Sequence, residues 1–142
     1  MRIHDILSTK GFDVIHIKPS SSVADLVGLL REHNLGAVVV SGDGTSIDGI
    51  VSERDVVRRL AEGVDFLDQP VASVMTVDVH HCSPHDSVES VMSAMTERRV
   101  RHLPVVDDHG RLAGIVSIGD VVKSQIAQLQ FERDQIAGYV SG

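Results

Sequence analysis

The sequence predicts an α+β fold in which two tandem copies of a strand–helix–strand–strand–helix unit are followed by a C-terminal helix. The first observation is a near-repeat: residues 49–57 read GIVSERDVV and residues 114–122, 65 positions later, read GIVSIGDVV. At this offset, 16 of the 45 aligned pairs from Asp13/Asp78 to Val57/Val122 are identical, against about three expected by chance. One such unit buries too little surface to be stable alone. We therefore expect a pseudo-two-fold axis between the copies and two related clefts between them.

The elements of the first copy follow from its apolar pattern and its turn residues. Pro19 ends an apolar, β-branched run, and Ser22 is a suitable N-cap for a helix whose apolar residues recur at helical spacing. A wholly apolar run of four residues then predicts a buried strand, and a Gly- and Asp-containing turn leads to the next strand. The predicted elements are a strand at 13–18, a helix at 23–33, strands at 37–40 and 47–51, and a helix at 53–61.

The second copy repeats this order. Ser87 caps a helix that carries Val88 and Val91 at helical spacing. The predicted elements are a strand at 77–82, a helix from residue 88, strands at 103–106 and 112–116, and a closing helix from residue 118. We assign residues 1–62 to the first repeat, 63–72 to a linker, 73–127 to the second repeat and 128–142 to a helical tail.

The tail has no counterpart in the first copy. Its apolar side chains lie on roughly one face of an extended helix, and Arg133 interrupts that face, so a regular coiled-coil seam is not indicated. We expect the face to pack on the protein's own core or on a second protomer. The apolar residues concerned are Ile126, Leu129, Ile136, Tyr139 and Val140.

Composition excludes several classes of function. The net charge is −7, aromatic residues make up 3% of the chain and tryptophan is absent, so the basic face and stacking aromatics of nucleic-acid-binding proteins are missing. No apolar run reaches the roughly 18 residues of a membrane span, and the N-terminus lacks the apolar core of a signal peptide. The lone Cys82 cannot form an internal disulfide. We expect a cytoplasmic protein that binds neither nucleic acid nor membrane.

A Ser-x-x-Asp sequence occurs in both copies where a strand leads into a helix: Ser52 with Asp55, and Ser117 with Asp120. One interpretation is structural, because a serine N-cap and an acid three residues later form a capping box. The other is a ligand site, because a helix N-terminus attracts phosphate and a carboxylate one turn on can accept both hydroxyls of a ribose. Duplication beside clefts between repeats favours the ligand site.

Two other kinds of site are not favoured. Residues 80–85 (HHCSPH) contain four His or Cys side chains and so resemble a cluster of zinc ligands. In a strand, however, His80 and His81 point to opposite faces, and isoleucines flank the equivalent His16. We therefore predict no metal site. No glycine-rich phosphate loop and no set of nucleophile, base and oxyanion donor are found, so we predict that the protein is not an enzyme.

The duplicated motif resembles the CBS domain, named after cystathionine β-synthase, and a tandem pair of such domains is called a Bateman module. The resemblance implies a regulatory module that binds an adenine nucleotide between its repeats without chemistry. AMP is the first choice, with ADP, ATP, an NAD-type dinucleotide or S-adenosylmethionine as alternatives. It also implies a homodimer and a regulated partner protein of unknown identity. The sequences that carry it are Ser52-Glu53-Arg54-Asp55, Val74-Met75-Thr76, Arg101-His102-Leu103-Pro104-Val105 and Ser117-Ile118-Gly119-Asp120.

In the family pattern the motif Asp holds the ribose hydroxyls, the motif Ser helps to hold the phosphate, and backbone of two strands frames the adenine. For the first site this implies Ser52 and Asp55, with Val14, Ile15, Gly36 and Ala37 around the base. For the second site it implies Ser117 and Asp120 with Thr76, Val79, His80, His102, Leu103 and Pro104.

The two sites are not expected to be equivalent. Arg99 and Arg101 align with uncharged residues of the first copy, and guanidinium groups suit phosphate oxygens. We therefore predict that the Asp120 site binds AMP more tightly and that Asp120→Ala weakens binding more than Asp55→Ala. Arg54 has two open interpretations, a phosphate contact and an ion pair with a neighbouring acid. The alternative function for the whole chain is a dimeric interaction scaffold with vestigial clefts.

Overall fold

The computed structural model describes the backbone of residues 1–141 and the side chains of residues 1–139. Within that range the chain forms five α-helices, five strands and two short 3₁₀ turns. In order they are α1 (Ile3–Lys10), β1 (His16–Ile17), α2 (Val23–His33), β2 (Ala37–Val40), β3 (Gly49–Ser52), α3 (Glu53–Leu60), the 3₁₀ turns Val64–Asp68 and Val71–Ser73, α4 (Val88–Arg98), β4 (His102–Val106), β5 (Leu112–Ser117) and α5 (Ile118–Ser141).

Strand pairing repeats the internal duplication residue by residue. In the first copy β2 pairs antiparallel with β3, with Ala37 opposite Ser52. In the second copy β4 pairs antiparallel with β5, with His102 opposite Ser117. The residues of the second pair lie 65 positions after those of the first pair, which is the offset of the sequence repeat. The first and last residues of α4 likewise lie 65 positions after those of α2. The predicted α+β fold with a C-terminal helix is confirmed.

The opening strand of each copy is shorter than predicted. β1 contains two residues, which pair in parallel with the end of β2. At the equivalent place in the second copy the described backbone has a single parallel bridge, between Cys82 and Val105. The predicted strand at 77–82 is therefore wrong. The chain turns there, since the N–H of Val79 donates to the carbonyl of Val77 at 3.0 Å, a bond that an extended strand excludes.

The core of each copy is completed by the segment that precedes the other copy. Helix α1, which the repeat does not predict, buries Ile3 and Leu7 in the core formed by α4, β4 and β5. The segment 63–72, predicted as a linker, contains 3₁₀ turns, and its Phe66 and Val71 are buried in the core formed by α2, β2 and β3. This crossed packing joins the two copies into one structure.

The segments that precede the two copies, one containing α1 and the other containing Val71, are structurally equivalent. We call them the opening segments, and the first is three residues longer than the second. The N–H of Ile3 donates to the carbonyl of Asp86 at 3.0 Å, and the N–H of Val71 donates to the carbonyl of Ser21 at 2.8 Å. The two acceptors are 65 positions apart, whereas the two donors are 68 positions apart. The first copy therefore contains three extra residues between its opening segment and its first strand.

Two equivalent glycines, Gly49 and Gly114, let these segments cross the sheets at close range. A Cβ built on Gly49 would lie 2.7 Å from Sδ of Met75 and 2.8 Å from the carbonyl oxygen of Thr76. A Cβ built on Gly114 would lie 2.8 Å from both methyl carbons of Leu7. Leu7 and Met75 thus occupy the same place and are also 68 positions apart. The three extra residues therefore follow Leu7 and form the last turn of α1.

Helix α5 continues well beyond the second copy. Val121 is buried, but Ile126, Leu129 and Tyr139 are 51%, 55% and 89% exposed. Packing of the tail on the protein's own core, one of the two expectations, is therefore wrong. The side chain of Val140 lies outside the described residues. No helix within residues 1–141 is both long and apolar enough to cross a bilayer.

Candidate functional site

A cleft of about 330 Å³ opens between the two copies, and both copies contribute to it. The first copy supplies the start of β2 and the junction between β3 and α3. The second copy supplies the turn before Cys82 and the junction between α4 and β4. The lining residues are Gly36, Ala37, Ile50, Ser52, Glu53, Arg54, Asp55, Thr76, Asp78, Val79, His80, Arg99, Val100, Arg101, His102 and Leu103. We call this cleft the Asp55 cleft.

The first Ser-x-x-Asp motif forms a capping box at the N-terminus of α3. The backbone N–H and the hydroxyl of Ser52 donate to Oδ2 of Asp55 at 2.8 and 3.0 Å, and the N–H of Asp55 donates to Oγ of Ser52 at 3.2 Å. Oδ1 of Asp55 has no hydrogen-bond partner among the described residues. The motif therefore forms the capping box that the structural interpretation predicts, and Oδ1 of Asp55 remains available to a ligand.

Three arginines, Arg54, Arg99 and Arg101, line the same cleft. None of them belongs to an ion pair within the part of the chain whose side chains are described, so the ion pair suggested for Arg54 is not observed. Arg99 ends α4 in the left-handed conformation, with φ 55°, which is uncommon for a residue with a Cβ. Its counterpart Asn34 ends α2 with φ 52°, which asparagine tolerates better. The cleft is therefore lined by three arginines without a direct ion-pair partner, together with the acidic residues Glu53, Asp55 and Asp78.

His102 stands where the two copies meet. A Cβ built on Gly36 would lie 3.3 Å from Cε1 of His102 and 3.8 Å from Oε1 of Glu53, so the ring packs against a backbone with no side chain. Burial lowers the pKa of His102, and the Lys10 cation lowers it further, while the carboxylates of Asp120 and Glu53 oppose both effects. The net shift is downward, so the ring is neutral at pH 7 and can either donate or accept a hydrogen bond.

The second motif has the same cap but a different partner for its carboxylate. The N–H of Ser117 donates to Oδ2 of Asp120 at 2.9 Å, and the N–H of Asp120 donates to Oγ of Ser117 at 3.1 Å. Nζ of Lys10 donates to the same Oδ2 at 2.7 Å. Burial raises the pKa of Asp120, but the bonds from Lys10 and Ser117 outweigh it, and the net shift is downward. Asp120 is therefore a carboxylate already held by an ammonium group.

The predicted site residues are grouped differently from the sequence-based assignment. Each opening segment crosses onto the other copy. The backbone of Thr76 therefore pairs with that of Ile50, with N···O distances of 3.0 and 2.8 Å. The turn that follows Thr76 faces the first motif. Residues predicted to lie with Asp120 therefore line the Asp55 cleft. They are Thr76, Val79, His80, Arg99, Arg101 and His102.

Three other predicted residues do not line the Asp55 cleft. Pro104 is buried in β4, where its carbonyl accepts the N–H of Cys82 at 3.0 Å. Val14 and Ile15 precede β1 and align with Val79 and His80 at the repeat offset.

Some residues of the cleft are absent from the sequence-based prediction. Ile50, Glu53 and Asp78 line it. The sequence would have pointed to these residues if the motif of one copy had been grouped with the first strand of the other copy. The repeat offset could not have identified Lys10, because this residue lies in the three-residue extension of α1 and therefore has no counterpart in the second copy. Only the folded chain brings it to Asp120.

The His and Cys residues of segment 80–85 have separate environments and partners. His80 accepts a hydrogen bond at Nδ1 from the Arg98 guanidinium, and His85 lies 3.7 Å from the carboxylate of Asp108. Burial raises the pKa of Cys82 to about 12, with a contribution from the Asp86 carboxylate, so its thiol is unreactive at neutral pH. Among the described residues, no group of three His, Cys, Asp or Glu side chains is arranged to hold a metal ion.

Comparison with known families decides the identity of the fold. A family model described as the CBS domain matches residues 3–62 and 71–127, which together cover most of the chain. The chain belongs to the CBS-domain family. It contains two CBS domains in tandem, and each carries one Ser-x-x-Asp motif.

Individual CBS proteins resemble the chain over nearly its whole length. The mitochondrial CBS domain-containing protein CBSX3 of Arabidopsis thaliana is 32% identical over 149 residues, covering 99% of this chain and 72% of that protein. The crystal structure of a CBS-domain-containing protein from Agrobacterium tumefaciens matches with a TM-score of 0.84 and 41% identity, over 88% of this chain and 99% of that one. The crystal structure of CBSX2 in complex with AMP matches with a TM-score of 0.75 and 27% identity, over 92% of this chain and 98% of that one.

Proposed function

We propose that this CBS pair binds an adenine nucleotide in the Asp55 cleft and acts as a regulatory module without catalysing a reaction. The observation that carries the proposal is the combination found in one cleft. A carboxylate with a free oxygen stands at a helix N-terminus, and three arginines without ion-pair partners line the same space. Carboxylates accept ribose hydroxyls, and arginines and helix N-termini bind phosphate.

Each part of a nucleotide then has a matching group. Oδ1 of Asp55 accepts the ribose hydroxyls, while Ser52 keeps the carboxylate in place through its two bonds to Oδ2. The backbone at Gly36 and Ala37, beside the neutral ring of His102, frames the adenine. The guanidinium groups at the cleft receive the phosphate.

The size of the cleft favours a mononucleotide. Its volume of about 330 Å³ lies at the lower end of the range for small-molecule sites, about 300–1,000 Å³. A dinucleotide of the NAD type would extend beyond it. The complex of the related CBSX2 with AMP supports the same choice. AMP is therefore the proposed ligand, and ADP, ATP and NAD(H) are the competitors to be tested against it.

Isothermal titration of the purified protein with AMP, ATP and NADH tests the proposal. We expect a micromolar dissociation constant for AMP, which corresponds to about −8 kcal/mol, and weaker binding of NADH. Hydrogen exchange with and without AMP then shows whether binding changes the protection of helices outside the cleft, as regulation of a partner requires. Absence of binding to all three nucleotides would contradict the proposal.

Arg99→Gly is expected to separate stability from affinity. Glycine adopts the left-handed conformation without strain, so the free energy of unfolding should rise by about 0.5–1 kcal/mol. The AMP affinity should fall about tenfold, because a charged phosphate contact is lost. Asn34→Gly is the matched control: it occupies the equivalent cap outside the Asp55 cleft and should leave affinity unchanged. Unchanged affinity in Arg99→Gly would remove Arg99 from the phosphate site.

A second candidate function, a dimeric interaction scaffold, is supported by apolar side chains on α3 and α5. Val57 and Val122, at equivalent positions of the two motif helices, are 66% and 39% exposed, and Leu60 and Ile126 are 41% and 51% exposed. Exposed apolar side chains that form one patch mark an interaction site. We expect sedimentation equilibrium to give twice the chain mass, and the pair of changes Val57→Asp and Val122→Asp to give a folded monomer. A monomeric parent protein would contradict this candidate.

A further inference from the structure

The contact between Lys10 and Asp120 occupies the second motif with a side chain of the protein itself. Nζ of Lys10 donates to Oδ2 of Asp120 at 2.7 Å and to the carbonyl oxygen of Ile115 at 2.8 Å. We propose that Lys10 closes the second inter-repeat cleft to a ribose, so that each chain binds one nucleotide, in the Asp55 cleft. This inference rests on the proposed function, because it uses the same role for the motif carboxylate.

The first motif has no equivalent of this contact. The carbonyl of Ile50, the counterpart of Ile115, accepts the backbone N–H of Thr76 at 2.8 Å. No cation is paired with Asp55 among the described side chains. The difference arises from the extra turn of α1, because the segment that precedes the second copy has no residue equivalent to Lys10.

Oδ1 of Asp120, like Oδ1 of Asp55, has no hydrogen-bond partner among the described residues, so Lys10 opposes a ribose by neutralising the carboxylate through Oδ2. If a ribose displaced the ammonium group, that group would give up two acceptors. The side chains of Lys10 and Asp120 are 37% and 26% exposed, so water screens their attraction only in part. Hydrogen bonds to charged groups are among the stronger ones in proteins, and losing one corresponds to roughly a ten- to hundredfold change in affinity. We therefore expect a ribose to bind at Asp120 at least about tenfold more weakly than it would to the same carboxylate without Lys10.

Apart from Lys10, the second motif has no counterpart of the three arginines that could favour a phosphate. Asn34 and Gly36 align with Arg99 and Arg101, and Gly119 aligns with Arg54. With Lys10 removed, the ligand that fits the remaining groups is an uncharged nucleoside rather than a nucleotide. Adenosine is accordingly the probe for the second cleft, and AMP is the probe for the first.

Calorimetric stoichiometry tests the inference in two steps. The parent protein should bind one AMP per chain at saturation. In a background of Asp55→Ala, which disables the first cleft, adenosine should not bind while Lys10 is present. Addition of Lys10→Met should then create one adenosine site per chain. Lys10→Arg is the matched control, because a guanidinium keeps the cation on Asp120 and should keep the cleft closed.

Two AMP per parent chain, or no adenosine site in folded Asp55→Ala/Lys10→Met, would overturn the inference. Thermal unfolding establishes that the variants are folded. If methionine destabilises the protein by leaving the Ile115 carbonyl without a donor, Lys10→Gln supplies an uncharged donor and the same adenosine titration decides. Failure of AMP to bind the parent protein would reject the proposed function, and the adenosine titration of the Lys10 variants would still decide the role of Lys10.

Discussion

Replacing Asp55 by alanine is expected to weaken AMP binding by at least about hundredfold. Two ribose hydroxyls lose a charged acceptor, and each hydrogen bond to a charged group contributes about 1.5–3 kcal/mol. Asp120→Ala, the matched change in the second motif, should leave the affinity within about twofold, because distant independent sites do not couple and Lys10 already holds that carboxylate. Titration calorimetry of the three proteins with AMP measures both effects. The expected order is the reverse of the one that the sequence pattern suggests.

Asp55 also caps α3, so binding must be separated from folding. Asp55→Asn provides this control, since its amide oxygen can still accept the Ser52 N–H while the charge is lost. We expect Asp55→Asn to unfold close to the parent temperature and to bind AMP almost as weakly as Asp55→Ala. If Asp120→Ala impaired binding more than Asp55→Ala, the assignment of the arginines to the Asp55 cleft would be wrong.

Gly49→Ala is expected to lower the free energy of unfolding by about 2–3 kcal/mol, the upper range for overpacking in a core. The new Cβ would lie 2.8 Å from the carbonyl oxygen of Thr76, and that carbonyl cannot retreat without losing the N–H of Ile50, which donates to it at 3.0 Å. The change therefore forces apart the strand and the segment that joins the copies. Chemical denaturation followed by circular dichroism measures the loss.

Gly114→Ala is the matched variant for this experiment. Its Cβ would meet the side-chain carbons of Leu7 rather than backbone, and a leucine can change rotamer. We expect a smaller loss of stability, about 1 kcal/mol. Equal losses in the two variants would show that the crossing at Thr76 is no tighter than the crossing at Leu7. Both results bear on the motif, because these glycines open the two copies of its Gly-Ile-Val-Ser sequence.

The local elements of the fold could be read from the sequence because their causes are local. Apolar spacing and a serine N-cap set the starts of α2 and α4 at Val23 and Val88. The capping box of Ser52 and Asp55 forms as its spacing predicts. The predicted strand at 77–82 failed because apolar, β-branched composition does not show whether a partner strand is available, and that segment turns into the cleft instead.

By itself, the sequence determined the duplication, the family and the residue types of a nucleotide site, because repeated residues at a fixed offset are visible without any structure. The tertiary structure decided which of those residues meet. Each opening segment crosses onto the other copy, so the arginines of the second copy lie with Asp55 of the first. It also decided that Asp120 is paired, because the last turn of α1 brings Lys10 to it from 110 residues away. Such pairings depend on how the copies pack against each other, and a local sequence pattern carries no record of contacts at that separation.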